Sequence, residues 1–325
     1  MYNVLIDPLS LVANSKDLDT KTFESYLENL IETMELKEYD FLIPFILEET
    51  ISLFYGNDEY LNIFNLEKWL AEFDSKYTSK DIILAATSIM NYNVIENVLQ
   101  DEKIFLNNLK AIDENQSVWG EEIFNTENLL RFSLMINRLF NGETYLKGNK
   151  NVNLKCTGEI THLGENKDII KGPDKIEETL KGFSSIEQIL MEVNIPVLWK
   201  ISSEKNEFAR LVEIYFKKNA THKEKITWRL GDKFFENFKK HGFYTEDRKI
   251  KSLLQAMFKA VYDEFNSDSH ALRSSSSGGA PAIEGHLGKA KRISIDYEYH
   301  LHYWIKQKHV IFAWVCTHND FYIPE

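Results

Sequence analysis

The sequence predicts a multidomain α+β protein, with a mainly helical N-terminal portion ahead of a C-terminal strand, two helices and a three-stranded antiparallel sheet. Three observations predict it. At 325 residues the chain exceeds one typical domain and has material for two or three hydrophobic cores. Apolar residues recur at helical spacing through most of 20–145, as in Phe23, Leu27, Leu30 and Ile31, whereas the last forty residues run in short apolar and alternating stretches typical of strands. Charge divides the chain as well: residues 1–145 hold 10 Lys+Arg against 26 Asp+Glu, and residues 222–325 hold 16 against 13.

The elements follow in order. YNVLID (2–7) reads as a short buried strand, and the acidic stretch behind it to residue 145 as helices. At 146–175 the composition turns to Gly, Asn, Lys and Asp, which marks a loop or hairpin-rich joint and the first boundary. Within 146–221, a small α/β unit, IEETLKGFSSIEQILMEVN reads as helical, IPVLWKIS (195–202) as a strand cut into by Pro196, and 204–218 as a helix. The third domain, 222–325, opens with ITWRL (226–230) as a strand, followed by amphipathic helices at 232–241 and 246–265. SSSSGG and two further glycines place 266–290 in an exposed, mobile loop. Strands at 291–298, 299–305 and 309–317 close the chain; the first two are one long bent strand or a hairpin reversing near Glu298. Period-two alternation puts His300, His302 and Trp304 on one face and Leu301, Tyr303 and Ile305 on the other.

Composition narrows the function classes. No apolar run approaches the ~20 residues that span a bilayer, and no export signal pattern opens the chain, so the expectation is a cytoplasmic protein. Cys156 and Cys316 are too few for a disulfide framework and are not spaced as a zinc site. P-loop, Rossmann glycine and paired-histidine metalloprotease motifs do not occur in the sequence. A net charge of −12 speaks against a nucleic-acid partner for the chain as a whole, but the acid sits at the front. Eight of the nine histidines, all but His162, fall in the last 104 residues, so the groups that exchange protons near neutral pH gather there.

ITWRLGDKFFENFKKH (226–241), HALR (270–273) with a Gly-Gly after it, GHLGKAKRISID (285–296), YHLHYWI (299–305) and VIFAWVCTHNDFY (310–322) resemble, in order and spacing, the RelE/YoeB toxin superfamily, whose members cleave messenger RNA, many of them on the ribosome. The resemblance covers about a third of the chain and rests on the series rather than on one motif. It implies a growth-arresting endoribonuclease of the toxin–antitoxin or antiviral-defence kind, with mRNA and the ribosome as partners and an antitoxin or trigger protein as regulator. By this resemblance Arg292 matches the family's phosphate-binding basic strand and His318 its terminal His/Tyr position.

The chemistry has its own requirements. Cleavage by the 2′-hydroxyl needs a base, an acid for the leaving 5′-oxygen and cations for the phosphorane charge, and DNA lacks that hydroxyl. Arg292 is the expected clamp, His318 and His302 the acid and base in unassigned order, and Lys289, Lys291, Arg273 and Tyr322 supporting contacts, with Asp320 placed to orient His318. No cofactor is required. A histidine on a strand is ordinarily a packed or solvated residue, and that is the reading for His270, His286, His300 and His309.

At the front, YNVLIDPLSL, IPFILEET (43–50), TSKDIILAATS (78–88) and LQDEKIF (99–105) resemble in order the PIN nucleases such as VapC. That resemblance implies Mg²⁺ held by Asp7, Glu49, Asp81 and Asp101, in a domain that is otherwise helical and whose charge repels a nucleic-acid backbone. Two other expectations stand beside these: that the acidic front restrains the basic end in cis, and that the chain is an interaction protein whose toxin-like domain has lost activity.

Overall fold

A computed structural model of the chain describes residues 1–13, 18–55, 66–99, 104–111, 126–140, 142–149, 151–163, 169–220, 227–262, 269–277 and 279–325. The chain is mixed α/β and forms two compact units, Met1–Val193 and Asn194–Glu325. The sequence reading placed boundaries at 145/146 and 221/222. Here the 146–221 stretch is divided between the two units.

The first unit runs β1 (Tyr2–Ile6), α1 (Thr20–Met34), β2 (Leu42–Ile46), α2 (Glu48–Tyr55), α3 (Leu66–Glu72), α4 (Ser79–Met90), β3 (Asn93–Val94), α5 (Ile95–Leu99), β4 (Ile104–Ala111), α6 (Thr126–Phe140), β5 (Thr144–Lys147), β6 (Val152–Leu163), β7 (Ile169–Phe183) and α7 (Ile186–Glu192). Helices predominate over strands in residues 1–145, as expected, but they flank a sheet: among the described residues the strands of this unit form a seven-stranded sheet ordered β3-β2-β1-β5-β7-β6-β4. From β3 to β7 neighbours are parallel, and β6 joins β7 and β4 antiparallel. Every residue of β1 is buried, so it carries no alternation, as a strand covered on both faces should not. Asp19 caps α1 by accepting from the Thr22 N–H at 2.7 Å, and Phe23, Leu27 and Leu30 bury its inner face.

Two further elements depart from the sequence reading. IEETLKGF is strand β7, not helix. Ile176 and Leu180 are both buried, and their i, i+4 spacing suits either element, while the polar residue between them hides the alternation. That residue, Glu178, accepts from Arg138 at 2.7 Å and from Asn137 at 3.4 Å. IPVLWKIS forms helix α8, because Pro196 lies in the first turn, where no backbone donor is needed. Asn194 caps the Val197 N–H, and Ile195, Leu198 and Trp199 are buried at i, i+3 and i+4.

The second unit continues from α8 (Ile195–Ile201) through α9 (Lys205–Asn219), β8 (Thr227–Leu230), α10 (Phe234–Lys240), α11 (Asp247–Tyr262), β9 (Ser269–Ala271), β10 (Glu284–Gly285), β11 (Gly288–Ser294), β12 (Tyr299–Lys306) and β13 (His309–Thr317). The strand, two helices and three antiparallel strands expected from sequence are all present, and the 291–298 region resolves into a hairpin. The sheet order is β10-β11-β12-β13-β8, with β9 also on β11 and β8 parallel to β13. One face packs on the helices: Phe312 meets Phe234 of α10, and Asn237 accepts from the Val315 N–H. Segment 319–325 crosses the other face. There Phe321 and Ile323 join Leu272, Ala290, Trp304, Ile311 and Ala313, and Trp304 Nε1 donates to the Pro324 carbonyl at 2.8 Å. The expected loop 266–290 carries β9 and β10, and Ser274–Ser277 are exposed.

Candidate active site

The hydrogen-bonded register of the second sheet lines up its polar residues. His270, Arg292, His302 and Trp314 face one another across β9, β11, β12 and β13, and Ser294, His300 and Cys316 form the next row. Directly opposed residues share a face, so Arg292, His270, His302 and His300 lie on the side that segment 319–325 crosses. Lys289 and Lys291 alternate away from Arg292. Lys291 pairs with Tyr303 and Lys289 with Ile305, which puts both lysines on the helix-facing side of the strand; they do not join the cluster.

His302 is fully buried, and both of its nitrogens are engaged. Nδ1 lies 2.9 Å from the Tyr322 carbonyl, an acceptor only, so Nδ1 carries the proton. Nε2 then presents its lone pair to the Cys316 Sγ at 3.4 Å. Burial pushes the Cys316 thiol up to about 12, with Asp320 raising it further and Arg292 lowering it, so Cys316 stays a thiol and donates. The chain Tyr322 C=O···H–His302···H–S–Cys316 is closed. His302, expected as an acid or base, thus has both ring nitrogens engaged within the protein, and Tyr322 contributes its carbonyl while its ring packs edge-on against Trp314 at 5.3 Å.

His300, read from sequence as an ordinary strand histidine, is the ring that meets His318 instead. Its ring centroid is 3.9 Å from that of His318, it is 7% exposed, and its Nδ1 is buried without a hydrogen-bond partner. Burial, followed by the charges of His318, Arg292, His302 and His270, lowers its pKa to about 4; it is neutral at pH 7. A nearly buried polar atom with nothing to bond costs free energy unless a ligand meets it.

His318 is oriented by the β11–β12 turn. Its backbone N–H donates to the Glu298 carbonyl at 3.2 Å, and its Nε2 to the Asp296 carbonyl at 3.3 Å, which leaves Nδ1 outside these contacts. Asp320 does not orient it: Asp320 Oδ1 accepts from the Tyr322 N–H at 2.9 Å. Arg292 is half-buried, and its guanidinium makes no hydrogen bond or ion pair among the described residues, although its charge reaches His300, His302 and Cys316. Arg273 serves the neighbouring loop, donating to the Ala280 carbonyl at 2.8 Å and bridging Ala282.

The acids of the first unit have a different arrangement. Asp7 and Glu49 follow the carboxyl ends of the adjacent parallel strands β1 and β2. Asp7 is buried, its Oδ1 accepts from the Leu9 N–H, and burial raises its pKa to about 6. Glu49 is raised as well, by burial and by Glu96. Asp81 is spent on a capping box, accepting from Thr78 N–H and Oγ1 at the start of α4, and these bonds lower its pKa. Asp101 lies outside the described residues. Among the described residues no group of three or more His, Cys, Asp or Glu side chains is arranged to hold a metal ion.

No protein-family model matches the chain, and neither a curated protein nor a solved structure matches it.

Proposed function

We propose that the C-terminal unit is an endoribonuclease effector, a growth-arresting toxin or antiviral-defence activity that cleaves mRNA through its 2′-hydroxyl. The observation that carries this reading is the His300–His318 pair, in ring contact at a tilt, beside Arg292, which has no hydrogen-bond or ion-pair partner among the described residues, on one sheet face. A half-buried guanidinium without a carboxylate partner suits a phosphate, which it engages through two parallel N–H donors. Two imidazoles in contact do not both ionise readily, so at most one ring of the pair takes up an added proton. A phosphate held at Arg292 favours that proton, giving one ring as acid for the leaving 5′-oxygen and one neutral ring as base for the 2′-hydroxyl. The same phosphate charge on the guanidinium stabilises the phosphorane.

The test is induction of the full chain, wild type against Arg292→Ala and His318→Ala, with growth and mRNA integrity followed together. Arrest and mRNA loss in wild type that disappear in both variants, with both variants folded, support the reading; arrest that persists in both overturns it.

A second reading has its own observation. The parallel strands of the first unit reverse order between β1 and β5, the point at which open α/β sheets bind ligands beyond their carboxyl ends, and Asp7 sits there. Asp7 and Glu49 are oxygen donors suited to Mg²⁺, which when bound supplies an activated water. On this reading nuclease activity requires Mg²⁺ and Asp7, and it survives Arg292→Ala.

A further inference from the structure

We infer that Tyr297, at the tip of the β11–β12 hairpin, is the stacking platform for a nucleobase of the single-stranded RNA whose phosphate is held at Arg292. The inference rests on the RNA reading of the His300–His318 site and assigns that site its base contact. Tyr297 is 86% exposed, whereas the strand aromatics beside it, Tyr299, Tyr303 and Trp304, are all below 10%. The turn does not need the ring. Asp296 Oδ1 accepts from the Glu298 and Tyr299 N–H groups, both at 2.8 Å, and the Ile295 N–H donates to the Tyr299 carbonyl at 2.9 Å. Asn, Asp or Gly is the ordinary occupant of such a tip, so an exposed tyrosine there carries a large apolar face into water with no packing in return.

Its position gives the ring a target. Residues 296 and 298, on either side of Tyr297, provide the two carbonyls that hold His318, so the ring is one residue from the backbone that fixes an imidazole of the site. The flanking Asp296 and Glu298 carboxylates repel phosphate, which keeps the RNA backbone on the Arg292 side and leaves a base for Tyr297. A π face stacks on any base, and single-stranded RNA presents its bases unstacked. The two contacts therefore divide the strand, with charge recognised at Arg292 and a base at Tyr297.

The experiment measures binding of a labelled single-stranded 2′-O-methyl oligoribonucleotide, which lacks the attacking hydroxyl, to the full chain by fluorescence anisotropy across a salt series. Tyr297→Ala is expected to raise Kd roughly tenfold, within the range of base–aromatic stacking, with an unchanged slope of log Kd against log salt. Tyr297→Trp is expected to restore binding, with its fluorescence quenched on stacking. Arg292→Ala is expected to weaken binding and reduce the slope by about 0.7, the share of one phosphate contact on a single strand. Wild-type affinity in Tyr297→Ala, with Arg292→Ala still impaired, overturns the inference and leaves the RNA reading standing. A wild-type chain that does not bind, or binds as Arg292→Ala does, overturns the RNA reading and the inference with it.

Discussion

The imidazoles of His300 and His318 are in contact with centroids 3.9 Å apart and planes tilted by 34°, and His300 lacks a proton there chiefly because it is buried and secondly because of the charges around it. Burial and the facing charges of His318, Arg292, His302 and His270 bring its pKa from 6.5 to about 4. A histidine with a depressed folded pKa binds fewer protons folded than unfolded, so its contribution is intact above pH 6.5 and is lost as pH falls through about 4. The shift corresponds to at most about 3 kcal/mol. The His300 ring resonances are expected to titrate near pH 4 by NMR, and urea unfolding is expected to lose stability between pH 6.5 and 4 with a shallower slope in His300→Gln. Titration near 6.5 removes the neutral base from the proposed site.

Asp7 responds to pH in the opposite direction. Its pKa of about 6 lies above the ordinary 3.8, so its carboxyl binds more protons folded than unfolded. Stability from that group is full below pH 3.8 and is lost as pH rises through 6. Asp7→Asn keeps an oxygen for the Leu9 N–H and is expected to raise stability at pH 7.5 by about 2–3 kcal/mol, with little effect at pH 4. Equal effects at both pH values contradict the buried-carboxyl account. A carboxylate kept at such a cost is also the strongest reason to test Asp7 for function.

His302 is expected to behave as part of the frame. Replacing it with Ala removes the link between Tyr322 and Cys316 and leaves a cavity under segment 319–325, a loss of about 2–4 kcal/mol. The measurements are the unfolding midpoint and the pH profile of any residual cleavage. A lowered midpoint with an unshifted profile marks a positioning residue, and a shifted profile with normal stability restores the catalytic role.

The second unit was legible in outline because its signals are local. Alternation in YHLHYWI put His300, His302 and Trp304 on one face, and β12 has that arrangement. Which histidine keeps an unengaged nitrogen was not legible, since it depends on Tyr322 and Cys316 closing one ring and His318 meeting the other, contacts 14 to 20 residues away in sequence. In the first unit helices were read and the sheet was underestimated. β1 was legible as a short buried strand, but Glu178 turned inward removed the strand signature of β7.

Lys147, which no motif singles out, supplies the last prediction. It ends β5 fully buried, with Nζ on Asn29, on the Ser184 carbonyl at 2.9 Å and on Glu32 at 3.4 Å. Burial lowers its pKa against the pull of Glu32. Glu32 also accepts from the Ile186 N–H at 2.6 Å, so one amine and one carboxylate connect α1, β5 and the start of α7. Lys147→Met preserves the stem but strands these acceptors, and a loss of about 3 kcal/mol is expected, below the fully buried case because the Glu32 side chain is 27% exposed. Glu32→Gln alone is expected to cost less, since the amide oxygen still accepts from Ile186. If the ion pair is the cause, the double variant costs less than the sum of the singles, by 0.5 to ~2 kcal/mol in urea unfolding. Strict additivity assigns the loss to the Asn29 and Ser184 contacts instead.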